Sequence, residues 1–181
     1  MPSSAAARLN GMLGRVLSLS FDELLERAGS FKSLFAALKK AGPGVEAAVQ
    51  KAMALDSELF RTVGYEVVRV GRGRAELRFP FSKDVARRGG MVHGGISMYS
   101  LDNACGIAVM TVNPGVDQVT VELKVNFLEP LSKGPFTVRG KVLRAGGKVA
   151  TAEGEVIDAD GTLCAKSLGT WYMIKKGPGR A

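Results

Sequence analysis

The sequence has few of the residues that bind metal ions or form disulfides. It contains one histidine, His93, and two cysteines, Cys105 and Cys164. The cysteines do not form a metal-ligand or redox motif, and so low a count is typical of a reducing compartment. No apolar run approaches the roughly 20 residues that a membrane-spanning helix needs. We therefore expect no metal site, no cofactor, no integral membrane segment and a cytoplasmic location.

The first 21 residues lack acidic side chains and a continuous apolar stretch. They contain Arg8, Arg15 and four serines, a composition that is also found in organellar transit peptides. Without the apolar stretch, a secretory signal is disfavoured. An ordinary N-terminal helix is the favoured interpretation, and a transit peptide is the alternative.

The chain carries a clear signal for a helix after Ser20. Ser20 and Glu23 have the spacing of a capping box, in which each residue satisfies the backbone N–H of the other. The apolar residues that follow keep helical spacing as far as Leu38. Lys39, Lys40 and the glycine and proline residues behind them are predicted to end this helix.

A second helix is predicted over residues 45–62, and a weaker one before Ser18. We therefore assign residues 1–57 to a helical N-terminal extension. Residues 31–40 are basic and amphipathic, so they could lie on a membrane surface. Packing against the chain's own domain or a neighbouring subunit is the favoured interpretation.

From Tyr65 onwards the apolar residues change from helical spacing to strand spacing. Ala75, Leu77 and Phe79 alternate with charged residues, as in a half-buried antiparallel strand. A later segment places Val121, Leu123, Val125 and Phe127 on one face and Thr120, Glu122, Lys124 and Asn126 on the other.

Turn signals divide this region into hairpins at residues 71–73, 145–148 and 160–161. The resulting order is strands, one apolar helix, and four more strands. This order predicts an α+β domain over residues 58–174, in which a long antiparallel sheet wraps round a central helix. Residues 175–181 are predicted to be a flexible tail.

The apolar helix follows a glycine turn and carries one carboxylate, Asp102. Its neighbours are apolar almost all round the helix, from Ile96 to Met110, which predicts a buried helix. A carboxylate in such a place is costly to ionise, so its pKa tends to rise. Side chains of this kind are more often retained for chemistry than for packing, which makes Asp102 the first catalytic candidate.

The spacing within this helix suggests a site shared between subunits. Gly95 and Asp102 lie on nearly the same helix face, but about 10 Å apart along the axis. Unpaired N–H groups at the helix start could polarise a carbonyl oxygen, whereas Asp102 of the same helix could not reach the carbon of that carbonyl. Two antiparallel copies would bring the helix start of one subunit to the Asp102 of the other.

The residues of this turn and helix resemble the hotdog-fold thioesterases, specifically the branch similar to phenylacetyl-CoA thioesterase (PaaI-like). The similarity lies in His93, Gly94 and Gly95, with Asp102 nine residues after the histidine. It continues through residues 120–130, which look like that family's first strand after the helix. The resemblance covers residues 58–174 and implies the hotdog fold.

The resemblance also implies a role for each of these residues. The N–H of Gly94 would bind the thioester oxygen, and Gly95 would support the turn. Asp102 of the partner subunit would act as general base or nucleophile, and Thr120 would help to hold the water. His93 would position the site. Structural roles are the alternative: close packing for the glycines, and an ordinary strand position for Thr120.

One position departs from the family pattern. The family often has asparagine six residues before the histidine, and this chain has Arg87 there, followed by Arg88. Arginine can donate hydrogen bonds to a carbonyl or phosphate but cannot accept them. Arg87 or Arg88 could therefore bind the pyrophosphate of coenzyme A or stabilise an oxyanion, or their presence could mean low activity.

The chain has a net charge of +8, and most of it lies in the predicted domain. The excess of basic over acidic residues is one in residues 1–60 and seven in residues 61–181. Such a surface suits nucleic acid or a phosphate-rich ligand such as coenzyme A. Because the basic residues are scattered along strands and no nucleic-acid motif is present, we expect no nucleic-acid partner.

Together these features predict an acyl-CoA thioesterase that produces a carboxylic acid and free coenzyme A. The protein is expected to be a homodimer or homotetramer. The alternative is a non-catalytic acyl-CoA-binding or regulatory protein of the same fold. A dehydratase is disfavoured because its chemistry usually pairs a catalytic histidine with an acid, whereas His93 lies in the glycine turn.

Overall fold

The computed structural model describes residues 20–41 and 44–175. The weaker helix predicted before Ser18, the beginning of the N-terminal extension and all but residue 175 of the predicted tail lie outside these residues.

A six-stranded antiparallel sheet and one long helix form the main domain. The strand order is β1-β2-β6-β7-β8-β5, and β3 and β4 form a separate short pair. The strands are β1 (Glu66–Gly71), β2 (Arg74–Phe79), β3 (Ala86–Arg87), β4 (Met91–Val92), β5 (Asp117–Phe127), β6 (Phe136–Ala145), β7 (Val149–Ile157) and β8 (Leu163–Ile174). The helices are α1 (Phe21–Ala28), α2 (Phe31–Ala41), α3 (Val45–Asp56), α4 (Glu58–Val63) and α5 (Gly94–Met110). The predicted hotdog architecture, a sheet wrapped round a central helix, is confirmed.

The core lies between α5 and the concave face of the sheet. Leu101, Ala104 and Ile107 of α5 are buried against Phe79, Phe136 and Val138 of the sheet. The three predicted turns lie between β1 and β2, between β6 and β7, and between β7 and β8. The alternation predicted for Ala75, Leu77 and Phe79 is also confirmed, because all three are buried.

Glycines bring the backbone of α5 unusually close to the sheet. A Cβ added at Gly140 of β6 would lie 2.2 Å from the carbonyl oxygen of Ala104, and one at Gly154 of β7 would lie 2.9 Å from Cys105 Sγ. Side chains at these two positions would push the helix away. The absence of a side chain therefore determines how deeply α5 sits in the sheet.

The helices of the N-terminal extension are shorter than the sequence predicted. The helix that begins with the Ser20–Glu23 capping box ends at Ala28, because Gly29 adopts a left-handed conformation with φ 72°. The predicted helix over residues 45–62 is interrupted at Ser57, whose hydroxyl accepts a hydrogen bond from the Phe60 N–H and begins α4. In both places the apolar spacing continues across the break.

The extension packs on the chain's own domain. Phe31, Leu34 and Leu38 of the basic amphipathic segment are buried. The first N–H groups of α2 donate to the loop that follows α5, from Phe31 to the Gly115 carbonyl and from Lys32 to the Asn113 carbonyl, both at 2.9 Å. These contacts agree with the favoured interpretation of this segment.

Strand β5 forms one edge of the sheet and is long and apolar. It is 11 residues long and pairs only with β8 among the described residues. Val119, Val121 and Phe127 are 49%, 63% and 53% exposed. Sheet edges of this length and polarity are normally covered, because their free N–H and C=O groups can pair with another strand.

We predict that Gly140→Ala severely destabilises the fold. The new methyl group would overlap the backbone of Ala104, which cannot rotate away as a side chain could. The expected loss of unfolding free energy is about 2 kcal/mol or more, measured by urea denaturation. Gly71→Ala is the matched control, because a Cβ there meets no atom within 4 Å. Equal stability of the two variants would contradict the close packing of α5.

Candidate active site

The glycine turn is held by the backbone and side chain of His93. Its N–H donates to the Val85 carbonyl at 2.8 Å. Its Nδ1 accepts the Gly95 N–H at 3.0 Å, which makes His93 the N-cap of α5. Since Nδ1 is an acceptor, the ring proton of neutral His93 lies on Nε2. The exposed imidazole thus shapes the turn and has one nitrogen already engaged.

This arrangement leaves one N–H free at the start of α5. The Gly95 N–H binds His93 Nδ1, and the Ile96 and Ser97 N–H groups donate to the His93 carbonyl. Among the described residues no acceptor lies opposite the Gly94 N–H. The Phe127 ring lies beside it, 3.4 Å from where a Cβ on Gly94 would be. Gly94 therefore offers a hydrogen-bond donor to an incoming ligand at the positive end of the helix.

Asp102 lies in the middle of α5 and is hydrogen-bonded to Thr120 of β5. The Thr120 hydroxyl donates to Asp102 Oδ1 at 2.8 Å. Burial raises the pKa of Asp102, and the hydrogen bond from Thr120 lowers it by a smaller amount. The second carboxylate oxygen, Oδ2, has no hydrogen-bond partner among the residues the structure describes. A carboxylate in this setting is a stronger base than an exposed one.

A β-bulge turns Thr120 towards α5. Thr120 pairs with Trp171 and Glu122 pairs with Thr170, so Val121 is the extra residue. The simple alternation predicted Val121 on the core side and Thr120 on the polar side, and this was wrong. Before Glu122, the residues on the two faces of β5 are the reverse of those predicted, because the bulge shifts the register by one residue.

Within one chain, Gly94 and Asp102 do not form a single site. They are eight residues apart on a continuous helix, which separates them by about 12 Å along the axis. The structure therefore brings Asp102 together with Thr120, and His93 together with Gly94 and Gly95, but it leaves these two groups apart.

Arg87 and Arg88 lie on the short hairpin of β3 and β4 that precedes the glycine turn. Both are exposed. Arg87 Nε donates to the Arg88 carbonyl at 3.2 Å. In the described part of the chain neither forms an ion pair, and neither contacts Asp102 or Thr120. The hairpin that carries them directly precedes the start of α5 at Gly94.

A small cavity of about 130 Å³ adjoins Asp102 and Thr120. The apolar part of its wall is formed by Met53, Gly106, Ile107, Met110 and Trp171, and the polar part by Asn103 and Gln118 together with the two site residues. The Gln118 amide is already used, since Nε2 donates to the Gly106 carbonyl at 2.8 Å. The cavity can therefore take an apolar group attached to a carbon near Asp102.

Sequence reasoning missed several residues of this cavity. Gln118 could have been found, because it lies two residues before Thr120 and shares its face of β5. Met53 and Trp171 gave no such signal, since they come from α3 and β8 and reach the cavity only through the tertiary fold.

The face of α5 that carries Asp102 is only partly covered. Tyr99, Asp102, Asn103 and Met110 are half-buried, and Met98 is 42% exposed. The sequence predicted a buried helix, and in the single chain most residues of α5 are buried or half-buried. The opposite face packs against the sheet.

A second, larger depression of about 690 Å³ lies on the convex face of the sheet. It is lined by charged side chains that alternate with Gly140 and Gly154, so it lies on the side away from α5. Ion pairs occupy it, among them Arg139 with Glu76 at 2.9 Å and Lys141 with Glu153 at 3.2 Å. None of the predicted site residues lines it.

Neither a metal-binding cluster nor a membrane-spanning helix is found in the described residues. Residues 20–41 and 44–175 hold no cluster of three or more His, Cys, Asp or Glu side chains arranged to bind a metal ion. In the same residues, no helix combines the length and apolarity needed to cross a lipid bilayer.

The chain is similar to known proteins over most of its length. The family model of the thioesterase superfamily matches residues 89–165. A Saccharolobus solfataricus protein named "Putative esterase" is 45% identical over 128 residues, which cover 71% of this chain and 91% of that protein.

Solved structures show the same fold. A thioesterase family protein from Silicibacter pomeroyi has a TM-score of 0.66 at 26% identity, covering 72% of this chain and 99% of its own. A mutant of the phenylacetic acid degradation protein PaaI from Thermus thermophilus has a TM-score of 0.60 at 23% identity, covering 65% and 100%.

We predict that Asp102→Asn is more stable than the wild type at neutral pH. Because burial raises the pKa of Asp102 above its unfolded value of 3.8, the folded state disfavours the carboxylate. Asp102 therefore lowers the free energy of unfolding at pH values above its unfolded pKa. This destabilisation becomes smaller as the pH falls towards about 4. Asparagine keeps the shape and the acceptor for Thr120 without the charge.

Thermal denaturation at several pH values measures this effect. The gain in Tm should be largest near neutral pH and should shrink on acidification. Glu66→Gln, at an exposed carboxylate on β1, is the control and should change Tm little at any pH. A lower Tm for Asp102→Asn at neutral pH would mean that Asp102 is a structural residue.

Proposed function

The chain belongs to the thioesterase superfamily, and we propose that it hydrolyses acyl-CoA thioesters to a carboxylic acid and free coenzyme A. The observation that carries this proposal is the half-buried Asp102, hydrogen-bonded to Thr120 at 2.8 Å beside an apolar cavity. Family membership and the names of the relatives support hydrolysis in general. The acyl-CoA substrate and the roles of individual residues are part of the proposal.

Asp102 acts on the thioester as general base. Its free Oδ2 takes a proton from a water molecule, whose oxygen attacks the carbonyl carbon and forms a tetrahedral oxyanion. Collapse of this intermediate breaks the carbon–sulfur bond, and the coenzyme A thiolate leaves and takes up a proton. Direct attack by Asp102, followed by hydrolysis of the resulting anhydride, is the alternative route.

Gly94 stabilises the oxyanion through its free N–H. Preorganised donors of this kind contribute strongly when they point to where charge develops. Because Gly94 and Asp102 of one chain are about 12 Å apart along the axis, the Gly94 donor comes from a second copy of the chain. Thr120 keeps the Asp102 carboxylate oriented, and His93 with Gly95 holds the turn.

Two exposed surfaces support assembly into a homodimer. In residues 20–41 and 44–175, no strand pairs with the outer side of β5, which carries exposed apolar residues, and the adjacent face of α5 is only half-buried. An isologous dimer covers both at once, since each surface then meets its own copy. Dimers of this kind can associate further into a homotetramer.

Arg87 and Arg88 bind the phosphates of coenzyme A in this scheme. They are exposed cations at the end of α5 where the thioester oxygen is held. Their position on the hairpin before the turn suits a phosphate contact better than a contact with Asp102. The cysteines Cys105 and Cys164 are both free and buried, which supports a reducing compartment such as the cytoplasm.

The proposal predicts that Asp102→Asn abolishes turnover. General-base catalysis contributes about 10²–10⁴-fold, so thiol release from acyl-CoA esters should fall by at least that range while the fold is kept. Glu66→Gln, the exposed-carboxylate control, should retain wild-type rates. Persistent activity in Asp102→Asn would refute the assigned mechanism. Binding of esters without turnover by the wild type would instead favour the non-catalytic acyl-CoA-binding protein.

Thr120→Val serves as a second variant in the same assay. Loss of its hydroxyl removes the hydrogen bond that lowers the pKa of Asp102. The acid limb of kcat/KM should therefore move to higher pH, whereas Thr120→Ser should restore the wild-type profile. An unchanged acid limb in Thr120→Val would show that Asp102 is not the titrating base.

A further inference from the structure

One wall of the cavity beside Asp102 comes from the N-terminal extension. Met53 of α3 lines it, whereas the other lining residues that the structure describes belong to α5, β5 and β8. We propose that Met53 is a specificity-determining residue, whose side chain limits the size of the acyl group. This inference rests on the proposed acyl-CoA thioesterase function.

The lining of the cavity includes a stripe of α5 that begins at Asp102. Asp102, Gly106 and Met110 are spaced four residues apart and form one stripe on α5, and all three line the cavity. In this proposal, a thioester held near Asp102 extends its acyl group along this stripe, towards Gly106 and Met110. Met53 forms part of the apolar wall on that path.

The backbone around Met53 is fixed from both sides. Three residues before it, the Gln50 amide donates to the Tyr65 carbonyl at 2.8 Å and accepts the Val67 N–H at 2.7 Å. Four residues after it, the Ser57 hydroxyl lies 2.8 Å from the Tyr99 hydroxyl on α5. These hydrogen bonds attach the α3 segment to the start of the sheet and to α5. They therefore fix the position of Met53 in the cavity wall.

The side chain of Met53 is half-buried and packs against the main core. The thioether is unbranched and flexible, so it adapts to the ligand within a limited space. The cavity volume of about 130 Å³ is close to that of an engineered cavity of about 150 Å³ that binds benzene. Its size in the single chain therefore suits a short apolar group.

The glycine at position 106 leaves the middle of the cavity open. A Cβ there would lie 3.6 Å from the Gln118 amide and 3.8 Å from the Trp171 indole nitrogen. These two neighbours are held in place, since Gln118 is hydrogen-bonded to the Gly106 carbonyl and Trp171 is 1% exposed. Met53 lies on α3, so exchanging it changes no residue of α5 or of the sheet.

Two substitutions at Met53, one to a smaller and one to a larger side chain, test this inference. The full-length chain is assayed for thiol release from acetyl-, butyryl-, hexanoyl-, octanoyl- and lauroyl-CoA. Met53→Ala removes the thioether and lengthens the cavity, so the ratio of kcat/KM for octanoyl-CoA to that for butyryl-CoA should rise about tenfold or more. Met53→Phe fills the cavity and should lower this ratio. Leu55→Ala, on the same helix but 68% exposed, should leave the ratio unchanged.

The possible outcomes separate this inference from the proposed function. Opposite shifts in the ratio for Met53→Ala and Met53→Phe support it, and if one variant does not fold, the shift of the other decides. Hydrolysis by folded variants with a wild-type ratio overturns the role of Met53 and leaves the thioesterase function intact. Absence of thiol release from every ester with the wild type overturns the proposed function, and this inference with it.

Discussion

The site depends on the close contact between the backbone of α5 and the concave face of the sheet. Gly140 and Gly154 remove the side chains that would hold the helix at a greater distance. Because of this contact, one face of α5 is occupied along its length by β-strands. The residues of the other face, Asp102 among them, are left at the surface of the single chain, half-buried and next to the edge strand β5.

The rigidity of the helix then separates the two chemical functions. The free N–H of Gly94 is at the start of α5, and the carboxylate of Asp102 is two turns further on. Because the helix is continuous, the two groups of one chain stay apart, and our proposal therefore places the Gly94 donor on a second copy. Strand β5 lies next to Asp102 through Thr120, so in the proposed dimer one contact would cover the edge of β5 and bring the two α5 helices face to face.

Much of this arrangement could be predicted from the sequence because it depends on local patterns. The glycine turn, the apolar helix with one carboxylate, and the hairpins all follow from spacing within short segments. Features that depend on tertiary contacts could not be predicted. The bulge at Val121, which turns Thr120 towards Asp102, leaves no mark in an alternating strand. The breaks at Gly29 and Ser57 occur within apolar periodicity that continues across them.

The N-terminal extension illustrates the same limit. From the sequence it was a helical segment with a packing face, and nothing in it indicated a contribution to the site. In the structure its α3 is attached to β1 and α5 by the side chains of Gln50 and Ser57, and this carries Met53 to the cavity. The extension therefore forms part of the cavity wall, a contribution that its own sequence did not indicate.

Complementation between two inactive variants tests the shared site most directly. Asp102→Asn lacks the base, and Gly94→Pro lacks the N–H donor at a first helical position, where proline is well tolerated. In a heterodimer of the two, one site has both Gly94 and Asp102 intact, and the other has neither. Random subunit exchange between equal amounts should therefore restore about a quarter of the wild-type thiol-release rate, as expected for a two-fold symmetric dimer. No recovery, with exchange verified by mass spectrometry, would contradict a site built from two subunits.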